Sequence, residues 1–272
     1  MRFGVREICD VVLKAKAETK IGDKTFKKNE PVIYFDSLKT SSMEGAATTV
    51  YAQGGRGNSR LIAWEGERTV TFTMEDALIS PEGFMILSGA GLIKASSSEK
   101  VYVHCVERVK IIDSTITLKN EAAAEIDKEK CTYVMKTNDN GEVASAPVEM
   151  TPSGKTIVVT DDKYADGDIV LVDYYTEKTS GAQQIEITPD KFGGNYYLEA
   201  STLFRDTNGV DMPAEFIIPN CKIQSNFTFT MASSGDPSTF TFTLDAFPDY
   251  TRYDRTKKVL SVIQIISDED TL

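Results

Sequence analysis

Apolar and polar residues alternate with a period of two over much of the chain, most clearly between residues 225 and 247. There the sequence SNFTFTMASSGDPSTFTFTLDAF has Phe, Met or Leu at every second position and mainly threonines between them. A period of two is typical of a strand with one buried face, and the Ser/Gly/Asp/Pro cluster in the middle marks a turn. The pattern predicts a β-hairpin with one apolar face and one threonine face.

Similar β-rich patterns recur along the chain and predict a fold made mainly of strands. The candidate strands cover residues 5–15, 31–36, 68–76, 101–113, 155–160, 168–175, 196–204, 215–219 and 259–266. The fold class expected from them is mainly β: a bent antiparallel β-sandwich or partial barrel with one short α-helix.

That helix is predicted from SPEGFMILSGAGL. Ser80 is a suitable N-cap, Pro81 occupies the favoured first position, and Gly89 or Gly91 can end the helix. Residues 40–60, TSSMEGAATTVYAQGGRGNSR, are rich in Gly, Ala, Ser and Thr and predict a long loop. A loop of this length inside a compact domain is usually functional, and we expect this one to be ordered by a partner.

An acidic segment divides the chain. Residues 117–177 contain 13 acidic and 6 basic residues, which is most of the excess negative charge of the protein. We therefore predict a discontinuous β-domain formed by residues 1–115 and 178–272, with residues 116–177 as an acidic β-rich insertion or extension.

One phrase occurs twice. TFTMEDAL at 71–78 and TFTLDAF at 241–247 share TFT, an aliphatic residue and Asp-Ala. The repeat is open to two interpretations, a duplicated element or the Thr-aromatic alternation common to many strands.

Composition excludes several classes of protein. A net charge of −11 argues against a general nucleic-acid binder, since phosphate contacts need a basic surface. The four cysteines (Cys9, Cys105, Cys131 and Cys221) have no zinc-site spacing and are expected to be reduced. The chain has no apolar run of about 18 residues and no signal-peptide pattern at its N-terminus, so we expect neither a membrane span nor secretion.

Candidate catalytic and ligand-binding chemistry is weak. The single histidine, His104, lies in a strand pattern, where a packed or surface residue is expected more often than a base. GGRGNS at 54–59 lacks the spacing of a phosphate-binding loop. DDKYADGD at 161–168 fits a calcium loop poorly, because Tyr164 and Asp173 fall where better ligands are needed. We expect no catalytic residue, no cofactor and no metal site.

Three segments together resemble the tail tube protein (major tail protein) of tailed bacteriophages. They are AWEGERTVTFTMEDALISPEGFMILSGAGL (63–92), FIIPNCKIQSNFTFTMASSGDPSTFTFTLDAFPDY (216–250) and VYAQGGRGN (50–58). The resemblance covers residues 1–115 and 178–272, and it favours a contractile-tailed phage.

The resemblance implies a structural virion protein that is made in the host cytoplasm and is not an enzyme. Tube subunits form hexameric rings, each subunit adding strands to a continuous β-barrel, and the rings stack into a conduit for DNA ejection. The implied partners are other copies of the chain, the tape-measure protein and transiting DNA, with the tail sheath, baseplate and tail terminator as further candidates and no membrane.

The resemblance also implies roles for individual residues. The threonine face of the 225–247 hairpin would line the lumen, and the Gly-rich loop would join neighbouring rings. The lumen-facing residues would be Thr228, Thr230, Thr239, Thr241 and Thr243, and the inter-ring loop would be Gly54, Gly55, Arg56, Gly57 and Asn58.

Two other functions remain open from the sequence. Another virion β-protein, such as a capsid decoration or tail accessory protein, would use the same threonine-rich strands. A calcium- or carbohydrate-binding β-sandwich would place its site at 161–168.

Overall fold

The computed structural model describes residues 2–5, 7–21, 24–78, 80–89, 91–138, 142–226, 233–234 and 239–266. Contact density divides the chain into two compact units, residues 1–92 with 185–272 and residues 93–184. Every assigned strand pair is antiparallel, and there is a single short helix in the described part of the chain. The prediction of a mainly β fold with one short helix is confirmed.

Seven strands of the first unit precede its helix. They are β1 Phe3–Val5, β2 Asp10–Ala15, β3 Thr19–Ile21, β4 Lys24–Phe26, β5 Pro31–Phe35, β6 Leu38–Gly54 and β7 Ser59–Asp76, followed by helix α1 Pro81–Ser88.

The chain then enters and leaves the second unit. The strands from there to the last described residues are β8 Gly91–Lys94, β9 Val101–Lys110, β10 Thr115–Thr117, β11 Glu125–Ile126, β12 Glu129–Lys130, β13 Tyr133–Lys136, β14 Val148–Glu149, β15 Thr156–Val158, β16 Ile169–Lys178, β17 Gln183–Glu186, β18 Asn195–Asp206, β19 Asp211–Ile223, β20 Phe240–Ala246 and β21 Val262–Ile265.

A nine-stranded sheet forms the first unit. Its main order is β5-β2-β18-β19-β20-β7-β6, with β1 added to β18 and β21 added to β19. The two strands at the ends of this order, β5 and β6, are consecutive in the chain and are joined by only two residues. Phe35 and Leu38, on either side of this link, both lie in one buried core, and the rings of Phe35 and Phe242 are 6.1 Å apart. The sheet is therefore strongly bent around that core, but no sheet in the described residues closes into a barrel.

Helix α1 begins and ends as the sequence predicts. The backbone N–H of Gly83 donates to Ser80 Oγ (2.9 Å), and Gly89 ends the helix with φ +71° and a hydrogen bond from its N–H to the oxygen of Met85 (2.9 Å). A Cβ at position 89 would lie 2.3 Å from the backbone of Phe192, so both the backbone conformation and the close approach require glycine. Ile86 packs into the core of the bent sheet, which explains why this helix is apolar.

The second unit has its own sheet and its own core. The sheet order is β14-β13-β16-β9, and short two-stranded sheets join β10 to β15 and β11 to β12. Val170, Val172 and Tyr174 of β16 are fully buried in this core, and the hydroxyl of Tyr174 donates to Glu107. β9 pairs with β16 along its whole length, so residues 101–110 belong to the same sheet as the acidic segment. The predicted division at residues 115 and 178 differs from the boundaries of the compact units and stays a prediction.

The prediction of a loop at residues 40–60 is wrong. These residues lie almost entirely in β6 and in the turn that follows it, and β6 pairs with β7 from Leu38 to Gly54. The segment lacks the apolar alternation of the other strands because most of it has no core to face. Its strand conformation comes from the backbone hydrogen bonds of the β6–β7 ladder.

Candidate functional site: a polar sheet face and a projecting hairpin

Strand β20 lies directly against β7, whereas the first strand and the turn of the hairpin predicted at 225–247 fall largely outside the described residues. Phe242 is opposite Met74, Leu244 is opposite Phe72, and Thr243 is opposite Thr73. The two TFT phrases are thus neighbouring antiparallel strands. Their apolar side chains (Phe72, Met74, Phe242 and Leu244) are at most 3% exposed. The apolar face predicted for residues 240–244 is buried in the core of the bent sheet.

The opposite face of β20, and of the parts of β7 and β6 beside it, carries only polar side chains. Residues that are directly opposite in an antiparallel ladder share a face, as do alternate residues of one strand. The polar face consists of three rows across β6, β7 and β20: Thr40, Glu75 and Thr241; Ser42, Thr73 and Thr243; Glu44, Thr71 and Asp245. These nine residues carry six hydroxyl groups and three carboxylates, and Lys222 of the neighbouring strand β19 lies opposite Asp245 on the same face.

Hydrogen bonds connect neighbouring strands within the rows of the polar face. Thr73 Oγ1 and Thr243 Oγ1 are 3.4 Å apart, and Thr40 Oγ1 donates to Glu75 Oε2 (3.3 Å). Thr239, just before β20, donates to the other oxygen of Glu75. Both oxygens of that carboxylate accept hydroxyl protons, so the face is preorganised as a hydroxyl and carboxylate surface.

Three of the five predicted lumen residues are described. Thr241 and Thr243 lie on the polar face, Thr241 exposed and Thr243 half-buried, and Thr239 lies beside it. Thr228 and Thr230 lie outside the described residues. The sequence reasoning missed the carboxylates: TFTMED and TFTLD each continue the Thr alternation with an acid, Glu75 and Asp245, and that pattern could have indicated them.

The predicted inter-ring residues form the end of a long β-hairpin. Gly54 is the last residue of β6, and residues 55–58 form the turn, with positive φ at Gly55, Gly57 and Asn58 (+80°, +90° and +50°). Beyond Gly45 and Val70 the two strands pair only with each other in the described residues, because β20 covers β7 only from Thr71 to Asp76. Nine strand residues beyond that point give a projection of about 30 Å.

The projecting part of the hairpin exposes large apolar side chains. Val50 is opposite Trp64 and Ala52 is opposite Ile62, so these four share one face. Val50, Ile62 and Trp64 are 63%, 55% and 53% exposed, and Leu61 beside them is 66% exposed. An apolar cluster of this kind on an isolated two-stranded ribbon marks a surface for a protein partner. We call the four residues Val50, Ala52, Ile62 and Trp64 the apolar hairpin face.

A bulge divides the hairpin. The register shifts between Ala47 and Thr49, and Thr48 Oγ1 accepts the backbone N–H of Glu67 (2.9 Å). A Cβ at Gly66 would lie 2.5 Å from that same hydroxyl oxygen, so a glycine is needed there. Bulges bend and twist a strand pair, and this one sets the direction of the apolar hairpin face relative to the sheet.

Residues 161–168 form an acidic turn between strands β15 and β16, and three of its four aspartates form hydrogen bonds or ion pairs. Asp161 and Asp168 accept backbone N–H groups of the same turn, Asp166 accepts the N–H of Ser114, and Asp168 also pairs with Lys136 at 2.6 Å. The pKa of the Asp168 carboxyl is lowered, mainly by the hydrogen bond from Lys136. Across the described residues there is no group of three or more His, Cys, Asp or Glu side chains arranged to hold a metal ion.

His104 is on the exposed side of β9. Its Nε2 lies 3.0 Å from Asp173 Oδ1, and its ring is 5.2 Å from that of Tyr175.

Within the described segments no helix is long and apolar enough to cross a membrane.

Comparison with protein families identifies the chain over almost its whole length. Residues 7–262 match the YomU/Tube protein family, so the match runs through the acidic segment as well as the outer portions. No curated protein matches significantly. The chain belongs to the YomU/Tube protein family.

Proposed function

We propose that the protein is the tail tube protein of a tailed bacteriophage, a structural and non-enzymatic component of the virion tail. The observation that carries this proposal is the hairpin, which projects about 30 Å beyond the sheet and exposes an apolar face where its own unit offers no cover. Membership of a family described as tube proteins supports it. The chain is made in the host cytoplasm and becomes part of the tail on assembly.

Within a ring, copies of the chain extend one another's sheet. The nine-stranded sheet ends in β5 and β6, each paired on one side only in the described residues. Exposed strand edges form hydrogen bonds with other chains, and closure into a ring removes them. We place six copies in each ring, as the resemblance implies, and the bent sheets of the six form one barrel. The apolar hairpin face then contacts the next ring.

The polar face lines the channel of that barrel. Three carboxylates, with Lys222 as a basic neighbour, leave this face with a negative charge that repels DNA phosphates, so DNA and the tape-measure protein pass without binding tightly. Glu44, Glu75 and Asp245 make this face more negative than threonines alone would. The sheath, baseplate and tail terminator are further partners outside the lumen or at its ends. We assign the tail to the contractile type on the resemblance alone, and electron microscopy of virions tests this, since a contractile tail shows a sheath around the tube.

Negative-stain electron microscopy of the concentrated full-length protein tests the central proposal. We expect hollow rods or stacked rings with six-fold end views. A chain that lacks residues 54–58 should stay soluble and form no rods. Monomers or trimers from the unaltered protein would contradict the proposal and favour a capsid decoration or tail accessory protein. Melting that depends on calcium would instead support a binding site at 161–168.

A further inference from the structure

A basic cleft interrupts the otherwise acidic first unit. It has a volume of about 410 Å³, and its cationic lining residues are Lys16, Lys28, Arg252 and Arg255, which define the basic cleft. Buried Tyr197 and Thr251 line it as well. Four cations around one open cleft are unexpected in a chain with a net charge of −11.

Only one of these cations is neutralised. Lys16 Nζ donates to Asp249 Oδ2 (2.6 Å), and this hydrogen bond is the main reason that the pKa of Asp249 is lowered. Lys16 Nζ also donates to the backbone oxygen of Pro219 (2.8 Å). Lys28, Arg252 and Arg255 form no ion pair with any described residue. Three like charges that face one cleft favour an anionic occupant.

The cleft lies towards one end of the bent sheet. Lys16 follows Ala15, which is opposite Tyr196, and Tyr196 is opposite Cys221 of β19. The backbone hydrogen bond from Phe247 to Asn220 (2.8 Å) places the start of the 247–258 segment at the same level.

Strand β21 runs towards the opposite end of the sheet. β21 runs antiparallel to β19 from Val262, opposite Ile217, to Ile265, opposite Ala214, and the N–H of Ile266 donates to the oxygen of Pro213 (2.9 Å). Residues 267–272, outside the described residues, have the sequence SDEDTL with three acids at 268–270.

We propose that the acidic segment Asp268–Asp270 of a second copy of the chain binds in the basic cleft. The segment of the same chain does not reach: six strand residues separate the levels of Pro213 and Pro219, about 20 Å, whereas residue 270 extends at most about 14 Å beyond Ile266. An anionic segment at one end of the subunit and a cationic cleft towards the other make a head-to-tail contact. Contacts of this type generate rings or filaments. The inference rests on the proposed self-assembly and adds the residues that join two copies.

Charge exchange between the two partners tests the proposal. The first variant reverses the cleft (Arg252→Glu, Arg255→Glu), the second reverses the segment (Asp268→Lys, Glu269→Lys), and the third combines all four changes. Assembly is followed by sedimentation and electron microscopy of the full-length protein at 25 °C and low salt. As a matched control, Arg108→Glu with Lys155→Glu makes the same charge change at exposed positions of the second unit.

We expect each reversed chain alone to need an at least about tenfold higher concentration for assembly, since like charges now face each other. The combined variant should recover assembly, and the control should assemble as the unaltered protein does. Failure of the combined variant to recover, or normal assembly of the segment-reversed chain, would overturn the proposal. Loss of oligonucleotide binding in the cleft-reversed chain alone would do so as well, by assigning the cleft to nucleic acid. If the unaltered protein forms no tubes, the proposed function itself fails, which is a distinguishable result.

Discussion

The hydroxyl oxygens of Thr73 and Thr243 lie 3.4 Å apart across β7 and β20, at the centre of the polar face. The pairing register is symmetric about this pair, because Phe72 is opposite Leu244 just as Met74 is opposite Phe242. Similar phrases on two antiparallel neighbours put matching side chains on each face. The repeated sequence therefore builds one continuous apolar side and one continuous polar side.

The buried side of β20 should control stability. Replacing Phe242, which is 3% exposed, with Ala leaves a cavity between Met74 and Phe35 and should cost about 3–5 kcal/mol in the free energy of unfolding. Thr241→Ala, on the exposed side of the same strand, should cost less than about 1 kcal/mol. Urea denaturation monitored by fluorescence measures both, and equal losses would contradict the assignment of faces.

The polar face should become inaccessible to large reagents on assembly. In a Cys105→Ser, Cys131→Ser background, whose two remaining cysteines are buried, Thr241→Cys should react with both a small maleimide and a polyethylene-glycol maleimide in the monomer. In tubes only the small reagent should react. Lys155→Cys, at an exposed position of the second unit, is the comparison site. Equal reaction of Thr241→Cys with the large reagent in tubes would show that this face does not line a channel.

The apolar hairpin face should be needed for assembly and not for folding. Ile62→Ser with Trp64→Ser removes two side chains that are more than half exposed, so the free energy of unfolding should change by no more than about 0.5 kcal/mol for each. Rods should be absent by electron microscopy.

The matched control for the hairpin uses its other face. Thr49 and Glu65 are opposite each other there, and Thr49→Ser with Glu65→Gln should leave rods intact. Rods from the Ile62→Ser, Trp64→Ser chain would exclude this face as the contact between rings.

Glu215 should oppose folding at neutral pH. Burial raises the pKa of its carboxyl, and nearby Glu199 adds to the effect. A raised folded-state pKa means that the charged form is disfavoured in the fold, so the penalty is present above the folded pKa and disappears as pH falls below the unfolded value of about 4.3. Glu215→Gln should therefore raise the melting temperature at pH 7 and have little effect near pH 4. A lower melting temperature at pH 7 would contradict this.

The sequence predicts those elements that local chemistry determines. The helix from Pro81 to Ser88, its Ser80 cap and its Gly89 end follow from short-range hydrogen bonding and backbone conformation, and most alternating segments are strands because one face of each is buried. The strand at 40–54 could not be predicted in this way. Its Gly and Ala residues disfavour strands, and its conformation depends on the partner β7.

The candidate site depends on contacts that are distant in sequence. Thr73 and Thr243 are 170 residues apart, and no local pattern indicates that β7 and β20 are neighbours. Threonines at 239–243 were found from alternation alone. Glu75 and Asp245 continue the same alternation and could be predicted with them, whereas Glu44 joins their face only when β6 pairs with β7.

On the projecting hairpin, Arg60 lies over the ring of Tyr51, and this contact has a consequence for the free subunit. The Arg60 guanidinium lies 4.0 Å from the centre of the Tyr51 ring, on the side of the ribbon opposite Trp64. A charge placed there keeps water on that side and discourages stray strands from adding to the ribbon. A free subunit is therefore less prone to unspecific sheet formation along this side of the hairpin.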